Sequence, residues 1–120
     1  MANYPKRGEI YLVNFDPAIG SEVKKTRPAV ILQNNNDNEF SPITIVGALT
    51  SQAGTKIYPT EVFVVTGEGG LSLDSIVQLN QIRMIDKQRL RNRLGSLNLE
   101  TMRKVDRALK ISLDIDGVVG

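Results

Sequence analysis

Histidine and cysteine are both absent from the 120 residues, so the side chain that most often moves protons near neutral pH is missing, as are thiolate nucleophiles and thiolate metal ligands. Chemistry in this chain must rest on arginine, threonine, serine, tyrosine or carboxylates. The charged residues are unevenly spread although the formal net charge is only +2. Residues 1–27 carry five basic and three acidic side chains, 28–82 one and five, 83–110 nine and three, and 111–120 two acidic ones. Positive flanks of this kind suit a polyanionic partner. Basic residues on a helix are ordinarily its solvated face, so charge by itself selects no function.

The elements that must position any such chemistry can be read from periodicity. Glu9-Ile10-Tyr11-Leu12-Val13-Asn14-Phe15 is rich in β-branched and aromatic types and stops at Asp16-Pro17, which predicts a first strand and a turn. Residues 16–26 hold Gly20, Ser21 and two lysines without apolar periodicity and read as an exposed loop of functional length. Pro28 to Gln33 is predicted as a second strand with proline at its first position, and Asn34 to Asn38 as a turn. Ile43 to Leu49, apolar on both faces, is predicted as a central strand that delivers Thr50 and Ser51 at its end. Glu61 to Val65 and Ser75 to Leu79 are predicted as two further strands, joined through a tight connection at residues 67–70. Asp86 is expected to cap a short helix through Arg93, ended by Gly95. Asn98 is expected to cap a second helix whose stripe is Leu99, Met102, Val105, Ala108, Leu109 and Ser112.

The whole is expected to be one α+β domain over residues 1–120, its 41% hydrophobic content sufficient for one core. The lack of cysteine fits a reducing compartment, and cytoplasmic localisation is expected. Met1 to Pro5 lacks the layout of a secretory signal and the apolar runs are too short to span a bilayer, so no membrane association is expected.

Several segments in order resemble the MazF/PemK toxins: Arg7-Gly8-Glu9-Ile10-Tyr11, Gly20-Ser21-Glu22, Thr26-Arg27-Pro28-Ala29-Val30, Gln33-Asn34, Ala48-Leu49-Thr50, and Gln81-Ile82-Arg83-Met84-Ile85-Asp86-Lys87. The resemblance covers about residues 6 to 112. It implies a small SH3-like β-barrel of about five to seven strands with a short helix and a C-terminal amphipathic helix. It also implies an endoribonuclease acting on single-stranded RNA as a homodimer, without metal or other cofactor. RNA would lie in a groove across the dimer, and the disordered tail of a cognate antitoxin would occupy the same groove.

Within that resemblance Arg27 and Thr50 correspond to the pair associated with cleavage. A planar guanidinium can grip two phosphate oxygens and offset the charge that grows during attack, but a pKa above about 12 makes it a poor proton acceptor. The natural reaction without metal or histidine is attack by the RNA's own 2′-OH, leaving a 2′,3′-cyclic phosphate and a 5′-OH. Thr50 would bond a non-bridging oxygen or the 2′-OH, and Glu22 is the candidate to accept a proton. Ser21, Lys24, Lys25, Asn34, Ser51, Gln81 and Arg83 are candidate RNA contacts. Phe15 and Phe40 either stack on bases or are buried in the barrel. Some members of the superfamily carry an Arg-x-Asp pair just before the Gln-x-Arg step. Here those positions are Gln78 and Asn80, amides that are neither useful acids nor bases.

Two other readings use the same fold. A CcdB-like toxin would bind gyrase without hydrolytic chemistry, but that activity is associated with an aromatic-containing C-terminal tail, and residues 114–120 contain no aromatic residue. An SH3-like module that only binds RNA or peptide would make Arg27 and Thr50 dispensable. Dimerisation, implied by the resemblance, would use apolar residues such as Ile111, Leu113 and Ile115.

Overall fold

The computed structural model describes residues 3–51 and 56–115. Six strands form one sheet: β1 (Glu9–Asn14), β2 (Thr26–Ile31), β3 (Ile43–Thr50), β4 (Glu61–Val64), β5 (Ser75–Asp86) and β6 (Leu90–Ser96). Their spatial order is β4-β5-β3-β2-β1-β6 and every recorded pairing is antiparallel. Two helices accompany the sheet, α1 (Asn35–Phe40) and α2 (Leu99–Ser112). The class is α+β as expected, with a strand count inside the expected range. The ladder is not closed into a ring, because β4 and β6 remain as edges among the described residues.

β3 sits between β2 and β5, and its two apolar faces are explained by two separate cores. Leu49 joins Ile10, Val30, Val77 and Leu79 under α2, whereas Val46 and Ala48 join Val13, Phe15 and Ile31 on the other side. Phe15 has 0% exposure, so its ring fills this second core and is not presented for base stacking. Phe40 is 75% exposed.

β2 begins two residues earlier than its composition suggests, which makes Pro28 its third residue. The missing proline N–H is tolerated because the β3 ladder begins only at Ala29 paired with Ala48, leaving Pro28 paired with Leu12 of β1 alone.

The predicted turn at Asn34 to Asn38 is instead the start of α1. Asn34 caps that helix by accepting from Asp37 N at 2.9 Å. Asn38, 0% exposed, bonds back to Gln33 O at 2.8 Å and accepts from Gln33 Nε2 at 3.1 Å and Thr44 Oγ1 at 2.7 Å. An asparagine that satisfies two neighbouring polar side chains holds the helix on β3, a tertiary pull that local turn propensity does not register.

The expected helix from Asp86 to Arg93 is also corrected. Asp86 does cap, accepting from Gln88 N at 2.8 Å, but the turn it caps is a single 3₁₀ turn, Lys87–Arg89. The chain then extends as β6 and pairs with β1 through Glu9–Ser96, Tyr11–Arg93 and Val13–Leu90. The four-residue spacing of Leu90 and Leu94 imitated a helical face, and the unpaired edge of β1 outweighed it.

β5 runs past its predicted end to Asp86. Its register on β3 jumps from Ala48–Gln78 to Gly47–Ile82, so residues 79–81 form an irregularity just where the predicted strand ended. Leu79 N donates to Thr60 O at 2.9 Å there.

α2 is capped by Asn98, which accepts from Thr101 N, and buries Thr101, Met102, Val105 and Ala108 as its stripe. Leu99 does not belong to that stripe, being 78% exposed in the first turn. Arg7 ties α2 to the start of the sheet: its Nε donates to Leu32 O at 2.8 Å and its Nη2 pairs with Asp106 at 2.5 Å. Among the described residues no helix is long and apolar enough to cross a membrane. Residues 116–120, most of the aromatic-free tail, lie outside the described residues.

Candidate functional site

Arg27 is the second residue of β2, paired with Val13, and is half-buried. Its position is set by the turn before it. Lys25 adopts a left-handed φ of 66°, its N–H donating to Asp16 Oδ1 at 2.8 Å and its carbonyl accepting from Phe15 N at 2.9 Å. Across this turn Arg27 Nε donates to Lys24 O at 3.0 Å. Among the described residues that is the guanidinium's protein partner, so its Nη1 and Nη2 end is the part presented for two oxygens of an anion.

Thr50 ends β3 opposite Ile76 of β5 and is half-buried, with Ser51 exposed just beyond it. Arg27, Thr50, Ser51 and Lys25 line one cavity of about 490 Å³, together with Leu12, Pro28, Leu49 and Leu94. β2 and β3 are adjacent and antiparallel, so the beginning of one and the end of the other meet at the same end of the sheet. That is why residues far apart in sequence converge here.

The cavity has a further wall made of Gly70, Leu71, Ser72, Leu73 and Ser75, a segment that sequence reasoning missed. Its signal was the glycine pair at 69–70. A Cβ on Gly70 would lie 2.0 Å from Leu94 O, and one on Gly95 would lie 2.6 Å from Gly69 C. The 3₁₀ turn Glu68–Gly70 is therefore pressed against the backbone of β6, a close approach that needs glycine on both sides. Gly95 serves this contact and does not end a helix. The wall is braced further by Asp74, whose Oδ1 accepts from Thr66 N at 2.8 Å and from Thr66 Oγ1 at 2.7 Å. These bonds, the hydroxyl first, hold the Asp74 carboxyl below its ordinary pKa of 3.8.

The remaining candidates lie elsewhere. Glu22, Gln81 and Arg83 line a second, smaller depression of about 140 Å³ with Phe15 and Val23. Glu22 Oε1 accepts from Ile19 N at 2.8 Å, closing its own loop turn, and Arg83 Nη1 donates to Phe15 O at 3.0 Å. Within one chain Glu22 is thus grouped with Gln81 and not with Arg27 and Thr50. Ser21 and Lys24 are exposed on the β1–β2 loop. The Asn34 side chain is engaged on α1, its Nδ2 donating to Asp37 Oδ2 at 2.9 Å in addition to the cap.

Beside the site, β1 and β6 are joined by Arg93 Nε on Glu9 Oε2 at 2.5 Å. Burial pushes the neighbouring Tyr11 phenol above 10.0, the Glu9 carboxylate adds to that rise, and Arg93 opposes it.

A guanidinium, two hydroxyls and an ammonium around one cavity form an electrostatic clamp for a phosphodiester. Apolar residues share its lining, so the cavity offers an apolar surface beside the charge.

Residues 6–113 match the family described as PemK-like, MazF-like toxin of type II toxin–antitoxin systems. The chain is similar to endoribonuclease EndoA of Bacillus subtilis (strain 168), with 44% identity over 108 residues, covering 90% of this chain and 93% of that protein. Among solved structures it is similar to MazF from Deinococcus radiodurans (Form-I), with 25% identity, a TM-score of 0.81, and coverage of 94% of this chain and 99% of that one. It is also similar to an endoribonuclease in complex with its cognate antitoxin from a mycobacterial species, with 25% identity, a TM-score of 0.76, and coverage of 92% and 96%.

Proposed function

The chain belongs to the PemK-like, MazF-like family of toxins of type II toxin–antitoxin systems, and from that premise we propose how it cuts RNA. It is an endoribonuclease toxin. The substrate is single-stranded RNA, cut at specific sequences. The 2′-OH beside the scissile phosphate attacks phosphorus, the bond to the 5′ oxygen breaks, and the products carry a 2′,3′-cyclic phosphate and a 5′-OH. The 2′-OH gives up its proton to solvent as the new bond forms, and the leaving 5′ oxygen takes one from solvent, so the step is proton-neutral overall.

Arg27 clamps the phosphate and offsets its growing charge, and Thr50 bonds a non-bridging oxygen or the attacking hydroxyl. Ser51 and Lys25 hold adjacent phosphate or sugar oxygens. The observation that carries this reading is the shared cavity of Arg27, Thr50, Ser51 and Lys25. The general-base role considered for Glu22 is not carried forward, because its carboxylate lines the other depression and is bonded to Ile19. Gln81 and Arg83, in that depression, serve as contacts to a neighbouring stretch of RNA. Identity of 44% to an endoribonuclease favours catalysis over the gyrase-binding and binding-only alternatives.

An antitoxin is the natural partner, supported by the similar endoribonuclease solved with its cognate antitoxin. Its disordered tail would compete with RNA for the groove. A homodimer acting in the cytoplasm completes the reading. Support for the second copy comes from apolar side chains beyond α2, with Leu113 51% and Ile115 45% exposed.

The deciding experiment incubates the purified protein with a long single-stranded RNA in excess EDTA, beside Arg27→Ala and a DNA control. Discrete cuts with cyclic phosphate ends, lost in the variant and absent from DNA, are expected. Intact RNA from folded, antitoxin-free protein would overturn the reading.

A further inference from the structure

The clamp residues are only part of the cavity's lining. Leu71, Ser72, Leu73 and Ser75 line it too, and they form a fixed surface. Gly67 N donates to Leu71 O at 2.8 Å and Leu71 N to Glu68 O at 3.2 Å. Asp74 is held by both donors of Thr66, and the buried Ser75 hydroxyl donates to Leu73 O at 2.9 Å. Gly70 abuts the Leu94 backbone.

Against this bracing one large apolar side chain is left in the open: Leu73 is 58% exposed. An exposed leucine on a braced segment, lining a cavity that Arg27 also lines, is unlike a leucine on a loose loop. It is pre-organised to cover something flat and apolar. The cavity volume of about 490 Å³ lies within the range of small-molecule sites, about 300–1,000 Å³, and exceeds what a phosphate group alone would fill.

We propose that the segment Leu71–Ser75 is a base-binding subsite that reads a nucleobase adjoining the cleaved phosphodiester, with Leu73 covering the face of the base and the Ser72 hydroxyl bonding its edge. The inference rests on the RNA-cleaving reading given above and adds to it the residues that discriminate sequence. A hydroxyl both donates and accepts, so Ser72 alone sets no single base. Discrimination comes from the pairing of edge contact and apolar cover, because a base that fits one and not the other leaves a polar group unsatisfied in the closed site.

The test uses the full chain and a pool of single-stranded RNAs randomised at the positions flanking one cut, with cleaved products sequenced. Wild type, Ser72→Ala, Leu73→Ala and the shape-conserving Leu73→Met are compared, each checked for an unchanged melting temperature. Ser72→Ala and Leu73→Ala are each expected to relax preference at one flanking position by about 10-fold, leaving preference elsewhere intact. Leu73→Met is expected to retain it. An unaltered profile in both alanine variants, or slowing that is uniform across all sequences, would overturn the subsite while leaving the endoribonuclease reading in place. A wild-type protein that cuts no member of the pool would overturn both.

Discussion

The carbonyl of Lys24 accepts the Arg27 Nε at 3.0 Å, across a turn in which Lys25 is held at φ 66°. The orientation of the phosphate clamp is thus set by backbone geometry one step away from it. Lysine could supply the charge at position 27 but neither this bond nor a forked grip on two oxygens. Arg27→Ala is expected to lower kcat/KM on a fixed RNA by about 100-fold or more, and Arg27→Lys to recover little of it. Single-turnover cleavage rates check both.

Left-handed backbone at a non-glycine residue costs about 1 kcal/mol. Lys25→Gly is therefore expected to be more stable than Lys25→Ala by about 1 kcal/mol in urea denaturation. Both variants lose the same charge from the cavity, so both should bind RNA with a shallower salt dependence. Equal stabilities would show that the turn is not strained at this residue.

Asn38 satisfies Gln33 and Thr44 inside the protein, where it has 0% exposure. Replacing it with alanine removes the acceptor of the Thr44 hydroxyl and one of the two acceptors of the Gln33 amide, the other being Ile43 O, and opens a small void. Asn38→Ala is expected to cost about 3 kcal/mol of unfolding free energy, measured by chemical denaturation, with cleavage per folded molecule nearly unchanged. A loss below a few tenths would mean that water takes over the bonds.

Gly70 combines a φ of 76° with a would-be Cβ 2.0 Å from Leu94 O. No rotamer change relieves a clash with backbone. Gly70→Ala is expected to lose about 2–4 kcal/mol and to displace the cavity wall. Its cleavage should fall even at temperatures where circular dichroism shows it folded.

Asp74 has its folded pKa lowered by the two bonds from Thr66. A depressed carboxyl contributes stability at pH above its unfolded value, and that contribution is lost as pH falls through the lower, folded value. The window therefore lies below 3.8. Asp74→Asn is expected to be less stable than wild type near neutrality and to converge with it as pH falls through that window, which flattens the acid limb of its stability curve. Melting temperature against pH for the two proteins tests the sign.

Much of the architecture was legible because local pattern and tertiary demand agreed. Glu9 to Asn14 is rich in strand-forming residues and is a strand; Asn98 is a strong cap and the stripe Met102, Val105, Ala108 finds the core. Where they disagreed, tertiary demand prevailed. Leu90 and Leu94 imitate a helix, but β1 needed an edge partner. The run at Asn34 to Asn38 reads as a turn, but Asn38 had two buried side chains to satisfy.

By itself the sequence determined the family pattern, the absence of histidine and cysteine, and the identities of Arg27 and Thr50, since residue types and their order survive without coordinates. The tertiary structure alone decided which candidates meet. Antiparallel pairing of β2 with β3 brings Arg27 and Thr50 to one cavity, the irregularity in β5 lies where Gln81 and Glu22 share another, and Phe15 is buried. The wall at Leu73 exists only because Gly70 and Gly95 let two distant backbones touch. Such proximity depends on strand register and close backbone approach, and these are set by the whole sheet and not by any local stretch of chain.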